Sequence, residues 1–111
     1  MEKHPEYGEQ FLFRFPPFRH LGPVVRAHHE RWDGLGYPDG LMGRRIPMAA
    51  RIISVSDVWD ALTTDRPWRQ AYSFEDAYAF MKEASGTRFD PQVLTPFLRS
   101  VRRLRQQGLL D

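Results

Sequence analysis

Hydrophobic and polar positions along this 111-residue chain nowhere alternate convincingly in twos. The apolar residues gather instead in helix-length stretches bounded by Pro, Gly and capping residues. Residues 4–14 (HPEYGEQFLFR) predict a short helix closed by Pro16-Pro17. Residues 18–33 predict a second helix, in which Pro23 either introduces a kink or marks the true start, with Val24 and Val25 beginning the regular part. Residues 34–46 carry Gly34, Gly36, Gly40 and Gly43 with Pro38, which is loop chemistry. The most apolar stretch, roughly 47–64, has Pro47 suited to a first helical turn and ends at Asp65-Arg66-Pro67. Ser73 is an N-cap for a helix over 74–85, with Asp76 as a weaker capping-box acid and Gly86 at its stop. Asp90-Pro91 repeats the cap-then-proline start for a last helix ending near Gly108, with Pro96 near its first turns. The pattern predicts an all-α fold, a bundle of about five helices, with no internal repeat.

Length allows one domain at most. The composition, 41% apolar and 27% charged, is that of a globular chain, and no apolar run approaches the span of a bilayer. No signal peptide opens the sequence, which makes the cytoplasm the default location. The formal charge of +2 is mild and does not indicate a nucleic-acid partner. Arg99, Arg102 and Arg103 share a face of the last helix, which a solvated surface explains. With no cysteine, any metal must be held by nitrogen and oxygen ligands.

In the 47–64 helix, apolar residues run nearly all the way round, from Met48 and Ile52 to Trp59 and Leu62, which predicts a central, buried helix. Asp57 and Asp60 nevertheless sit inside it at i, i+3 spacing. A buried carboxylate needs a compensating cation, either an arginine such as Arg51 or Arg66, or a metal. His28 and His29 bear on that choice. Adjacent helical side chains lie about 100° apart, so the two imidazoles do not grip one ion in the i, i+4 manner. They reach two neighbouring ions, or one binds metal and the other substrate. His4 adds a third imidazole, whereas nothing around His20 suggests a role. Three histidines and an aspartate without a thiol make a set suited to Fe, Mn, Zn or Ni.

The order of these motifs, His4-Pro5, then HHERWDGLGYPDGL, then IPMAARIISVSDVWDALTTDRPWRQA, then GTRFDP, resembles the HD-GYP family of metal-dependent phosphohydrolases across residues 1 to 100. Gly36-Tyr37-Pro38 is the tripeptide behind the second half of the family name. The resemblance implies a helical HD-domain bundle with a di- or trinuclear centre, usually iron or manganese, that hydrolyses cyclic di-GMP to the linear dinucleotide or to GMP. Position by position, His4, His28, His29 and Asp57 match its metal ligands, and Asp60, Arg66 and Arg69 match substrate-side positions. The Gly36-Tyr37-Pro38 loop is associated with the site entrance and with partners such as GGDEF-type synthase or receiver domains. An internal role for Trp32 and Tyr37, stapling the loop to the bundle, stands beside that reading. Likewise Arg66 and Arg69 either offer forks to phosphate or pair on the surface with Asp65 or Glu75.

One family motif is missing: no adjacent His-Asp pair occurs anywhere in the chain. The chain is therefore expected to be the C-terminal part of a single HD-GYP domain, with the helices that carry the pair lying upstream. Alone, it is expected to be inactive and to dimerise or swap helices. A degenerate signalling module, binding partners or nucleotide without hydrolysis, is the alternative. Trp59 and Trp68 stand where the family commonly has smaller aromatics, which is expected to alter packing.

Overall fold

The computed structural model describes residues 22–110. Four α-helices lie among them: α1 (Gly22–Ala27), α2 (Met48–Thr63), α3 (Phe74–Glu83) and α4 (Pro91–Gln106), with a 3-10 turn at Gly43–Arg45. No strand occurs among the described residues, in keeping with the all-α reading. The helix expected over 4–14 lies outside them. No described helix is long and apolar enough to cross a membrane.

The caps read from sequence operate as expected. Ser73 Oγ accepts the Asp76 N–H at 3.1 Å, and Asp90 Oδ1 accepts the Gln92 N–H at 2.8 Å. In α3, Phe74, Ala77, Tyr78 and Met81 recur at helical spacing. In α4, Leu94, Leu98 and Val101 do the same. These two faces close on Val55 and Leu62 of α2 with Phe89 from the α3–α4 turn, forming the main core. Trp59 meets Phe74 and Phe97 edge-on at 5.5 and 5.8 Å, so it serves as packing, while Trp68 is 77% exposed. A smaller cluster of Ala27, Ile46 and Ala50 joins α1 to the start of α2.

Two expectations are corrected. The expected 18–33 helix is seen, among the described residues, as Gly22–Ala27 and ends at Ala27, well short of residue 33. The chain leaves the helix at Ala27 because residues 28–30 are recruited by the loop that follows, as described below. Helix α2 is not buried all round: Ala50, Val55 and Leu62 are buried, while Met48, Ile52, Asp57 and Asp60 are exposed. Its described neighbours α1, α3 and α4 leave one side of it open. The premise that Asp57 and Asp60 are buried carboxylates therefore fails. Arginine pairing does not account for Asp57 either. Arg51 instead binds Asp90 at 2.7 Å, with side chains 10% and 0% exposed, and donates from Nε to the Ile46 carbonyl.

Candidate metal and phosphate site

The residues after α1 owe their placement to Glu30. This side chain is 3% exposed and collects three backbone N–H groups: Asp39 at 2.6 Å and Gly40 at 3.0 Å on Oε1, and Leu41 at 2.8 Å on Oε2. A carboxylate takes three donors well because charge-assisted bonds are the strong ones. The loop is thereby folded back over residues 28–31. Its closest approach is at Gly36, where an added Cβ would stand 2.5 Å from Arg31 N and 2.6 Å from the His29 carbonyl oxygen. No side chain fits there. The backbone that Gly36 approaches so closely is that of residues 29–31 of its own chain.

This fold-back sets Tyr37 against His29, rings stacked at 5.3 Å, with the Tyr37 N–H directed at the His29 carbonyl at 3.4 Å. The Tyr37-Pro38 peptide is cis. The imidazoles of His28 and His29 lie 4.1 Å apart, centroid to centroid. Their closeness follows from leaving the helix at Ala27, since the angular separation of adjacent helical side chains no longer applies. His28 Nδ1 hydrogen-bonds the Val25 carbonyl. A carbonyl only accepts, so Nδ1 carries the proton and the neutral ring has its lone pair on Nε2. Metal-binding histidines are commonly oriented by a bond of this kind.

Opposite, Ser54, Asp57 and Val58 of α2 complete a cavity of about 370 Å³ whose wall also includes His28, His29, Tyr37, Arg31 and Arg88. Among the described residues Asp57 has no ion-pair partner. The donors match a divalent cation in kind: nitrogen and carboxylate oxygen, one imidazole already oriented. They do not close a cage, since no three such side chains among the described residues converge on one point. His4 and His20 lie outside the described residues.

Asp60, Arg66 and Arg69 are not on this wall. They gather beyond Asp57, at and past the C-terminal end of α2. Arg66 pairs with Asp60 at 3.8 Å, a solvent-facing contact worth little, and not with Asp65 or Glu75. Arg69 donates to the carbonyls of Ala61 at 2.6 Å and Gln70 at 2.9 Å, and lies over the Tyr72 ring.

Sequence reasoning overlooked Glu30, Arg31 and Arg88. Trp32 N–H donates to the Arg88 carbonyl at 3.2 Å and Asp33 N–H to the Thr87 carbonyl at 2.8 Å, clipping the loop to the GTRFDP turn. Burial lowers the pKa of the Arg88 guanidinium, Arg31 adds repulsion, and Tyr37 partly offsets both, although the residue as a whole is exposed. Arg31 is paired with Asp33 at 2.8 Å. Burial tends to raise the Asp33 pKa, but hydrogen bonds from the Leu35 N–H and Arg31 outweigh it and hold it below the usual range. Bidentate bonding from Arg26, at 2.8 and 2.9 Å, does the same for Asp39 at the loop's outer end.

Comparison with known proteins places this arrangement among relatives. The model of the HD domain family matches residues 1–93. A cyclic di-GMP phosphodiesterase response regulator of Xanthomonas campestris pv. campestris is 41% identical over 108 residues, covering 96% of this chain and 29% of that protein. The 3′3′-cGAMP-specific phosphodiesterase 3 of Vibrio cholerae is 41% identical over 92 residues, covering 83% of this chain and 20% of its own length. A cyclic di-GMP phosphodiesterase of Thermotoga maritima is 38% identical over 101 residues, 89% of this chain and 27% of the relative. The chain thus spans less than a third of these relatives. The crystal structure of a cyclic GMP-AMP-specific phosphodiesterase from V. cholerae superposes with a TM-score of 0.74 at 24% identity, over 97% of this chain and 24% of that one, which shows a shared fold.

Proposed function

The chain belongs to the HD-domain family, and on that premise we propose that it forms part of a metal-dependent phosphodiesterase centre that hydrolyses a cyclic dinucleotide, cyclic di-GMP or 3′3′-cGAMP. The observation that carries this reading is that His28, His29 and Asp57 line one cavity, with the carboxylate unclaimed by any described cation. The names of the relatives supply the substrate class. They disfavour the alternative of a degenerate module that does not hydrolyse.

His28, through Nε2, His29 and Asp57 would hold the divalent ions, iron or manganese first among those the ligand set suits, with His4 as a further donor. When bound, such ions supply Lewis-acid polarisation of the phosphodiester and lower the pKa of attacking water. The protein's own part is positional. Val25 orients the His28 ring, Tyr37 stacks on that of His29, and Glu30 keeps the loop closed over the cavity that both histidines line with α2. Asp60, Arg66 and Arg69 are assigned to the substrate side, beyond the cavity wall, and Gly36-Tyr37-Pro38 to the entrance and to a protein partner. A cytoplasmic location is part of the same proposal.

The described donors do not close a cage by themselves, so the first test is binding and the second turnover. Mn2+ is expected to bind in the low micromolar range or tighter, and His29→Ala or Asp57→Asn to abolish binding with helicity retained. Hydrolysis of either cyclic dinucleotide, followed as linear product by ion-exchange chromatography in a protein that joins this chain to helices bearing the His-Asp pair, is expected to fall with it. Turnover that survives both substitutions refutes the proposal.

A further inference from the structure

One wall of the cavity carries more positive charge than the described protein neutralises. Arg31 is matched by Asp33 through two bonds, Nε to Oδ1 at 3.2 Å and Nη2 to Oδ2 at 2.8 Å. Arg88 lines the same cavity and has no carboxylate partner among the described residues. Both guanidinium-bearing residues line this one cavity. Of the nearby acids, Glu30 is committed to three loop N–H groups and Asp90 to Arg51, while Asp57 lines the same cavity without an ion pair to Arg88. The position of Arg88 along the chain is fixed by backbone bonds. Its backbone is clipped to the loop at Trp32, and the preceding residue at Asp33, so the turn that carries it is seated against the histidine segment.

Two like charges held at one concave wall cost free energy unless an anion shares the space. Guanidinium forks match phosphate oxygens in geometry as well as charge. We propose that Arg88, assisted by Arg31, forms a phosphate-binding wall of the cavity that holds a phosphodiester group of the cyclic dinucleotide beside the His28–His29–Asp57 donors. This deepens the phosphodiesterase reading and rests on it for the identity of the anion.

Isothermal titration with cyclic di-GMP, once with Mn2+ and once with chelator, separates the two claims. Arg88→Ala is expected to weaken cyclic di-GMP binding about tenfold or more in both conditions, the size of one lost charge-assisted contact. Arg88→Lys recovers part of the loss, and Mn2+ affinity and guanosine binding stay at the wild-type level. Equal cyclic di-GMP affinity in wild type and Arg88→Ala overturns the proposal, as does absence of cyclic di-GMP binding by the wild type in both conditions. A matching loss of Mn2+ affinity in Arg88→Ala also overturns it, because the residue is then structural. If the wild type binds no Mn2+ but retains arginine-dependent binding of cyclic di-GMP in chelator, the metal reading fails and the phosphate wall stands.

Discussion

Replacing Glu30 by glutamine removes one acceptor and one negative charge without changing the size of the side chain. In the native loop the carboxylate receives three N–H groups, from Asp39, Gly40 and Leu41, inside a residue only 3% exposed. An amide offers one oxygen. Placed toward Asp39 and Gly40, it keeps two weaker neutral bonds and turns its NH2 toward the Leu41 N–H, donor against donor. Placed the other way it keeps one bond and loses two. The better choice exchanges two charge-assisted bonds for neutral ones and strands one buried N–H. At about 0.5–1 kcal/mol for each exchange and about 1–3 kcal/mol for the unmet donor, the loss is about 2–5 kcal/mol. Against a total of about 5–15 kcal/mol for a domain, this is large. Urea unfolding followed by tryptophan fluorescence is expected to show a lower midpoint. Hydrogen exchange is expected to show lost protection at residues 39–41 before the core of α3 and α4 is affected. A Glu30→Gln chain within about 0.5 kcal/mol of wild type, with those amides still protected, would refute the reasoning.

Gly36→Ala is expected to destabilise by about 1–3 kcal/mol, because the new Cβ meets three backbone atoms of residues 29–31 at 2.5–2.7 Å. Loss of the Tyr37–His29 ring-current shift in NMR would report the opened loop. Arg51→Ala leaves Asp90 charged with a fully buried side chain and is expected to cost about 3–5 kcal/mol. A double-mutant cycle with Asp90→Asn should show strong coupling, and simple additivity would contradict it. Acid titration of stability is expected to follow Asp33 and Asp39, whose folded pKa values lie below the ordinary 3.8. Such groups contribute stability above their unfolded pKa and lose it as pH falls through the folded value. Asp39→Asn should therefore flatten the decline below about pH 4, and an unchanged slope in that variant would contradict the assignment.

Local rules were legible wherever a local interaction decides the structure. Ser73 and Asp90 cap their helices as their positions in sequence predict, and α2 runs from Met48 to Thr63 against an expected 47–64. Two features were illegible because they depend on chain that is distant in sequence. The helix through His28 and His29 fails to form since Glu30 answers to amides nine to eleven residues further on, which no periodicity shows. The exposure of Asp57 was hidden because a helix apolar on all sides reads as buried, and only the placement of α1, α3 and α4 reveals which side they leave open. At the site, the motif order pointed to His28, His29 and Asp57, and the structure brings them to one cavity. Arg31 and Arg88 carried a weaker signal, two isolated arginines inside HHERWDG and GTRFDP. They become a pair only through the backbone bonds that join those segments.

The central claim is that the two adjacent imidazoles and the unpaired aspartate serve one cation-binding cavity. Paramagnetic broadening of the histidine imidazole signals on Mn2+ addition tests it most directly. The account predicts that His28 and His29 broaden together at substoichiometric metal, and that Asp57→Asn shifts this to concentrations at least about tenfold higher, the loss of one charged ligand contact. Broadening of one of the two imidazoles without the other, or a titration that Asp57→Asn leaves unmoved, would contradict it.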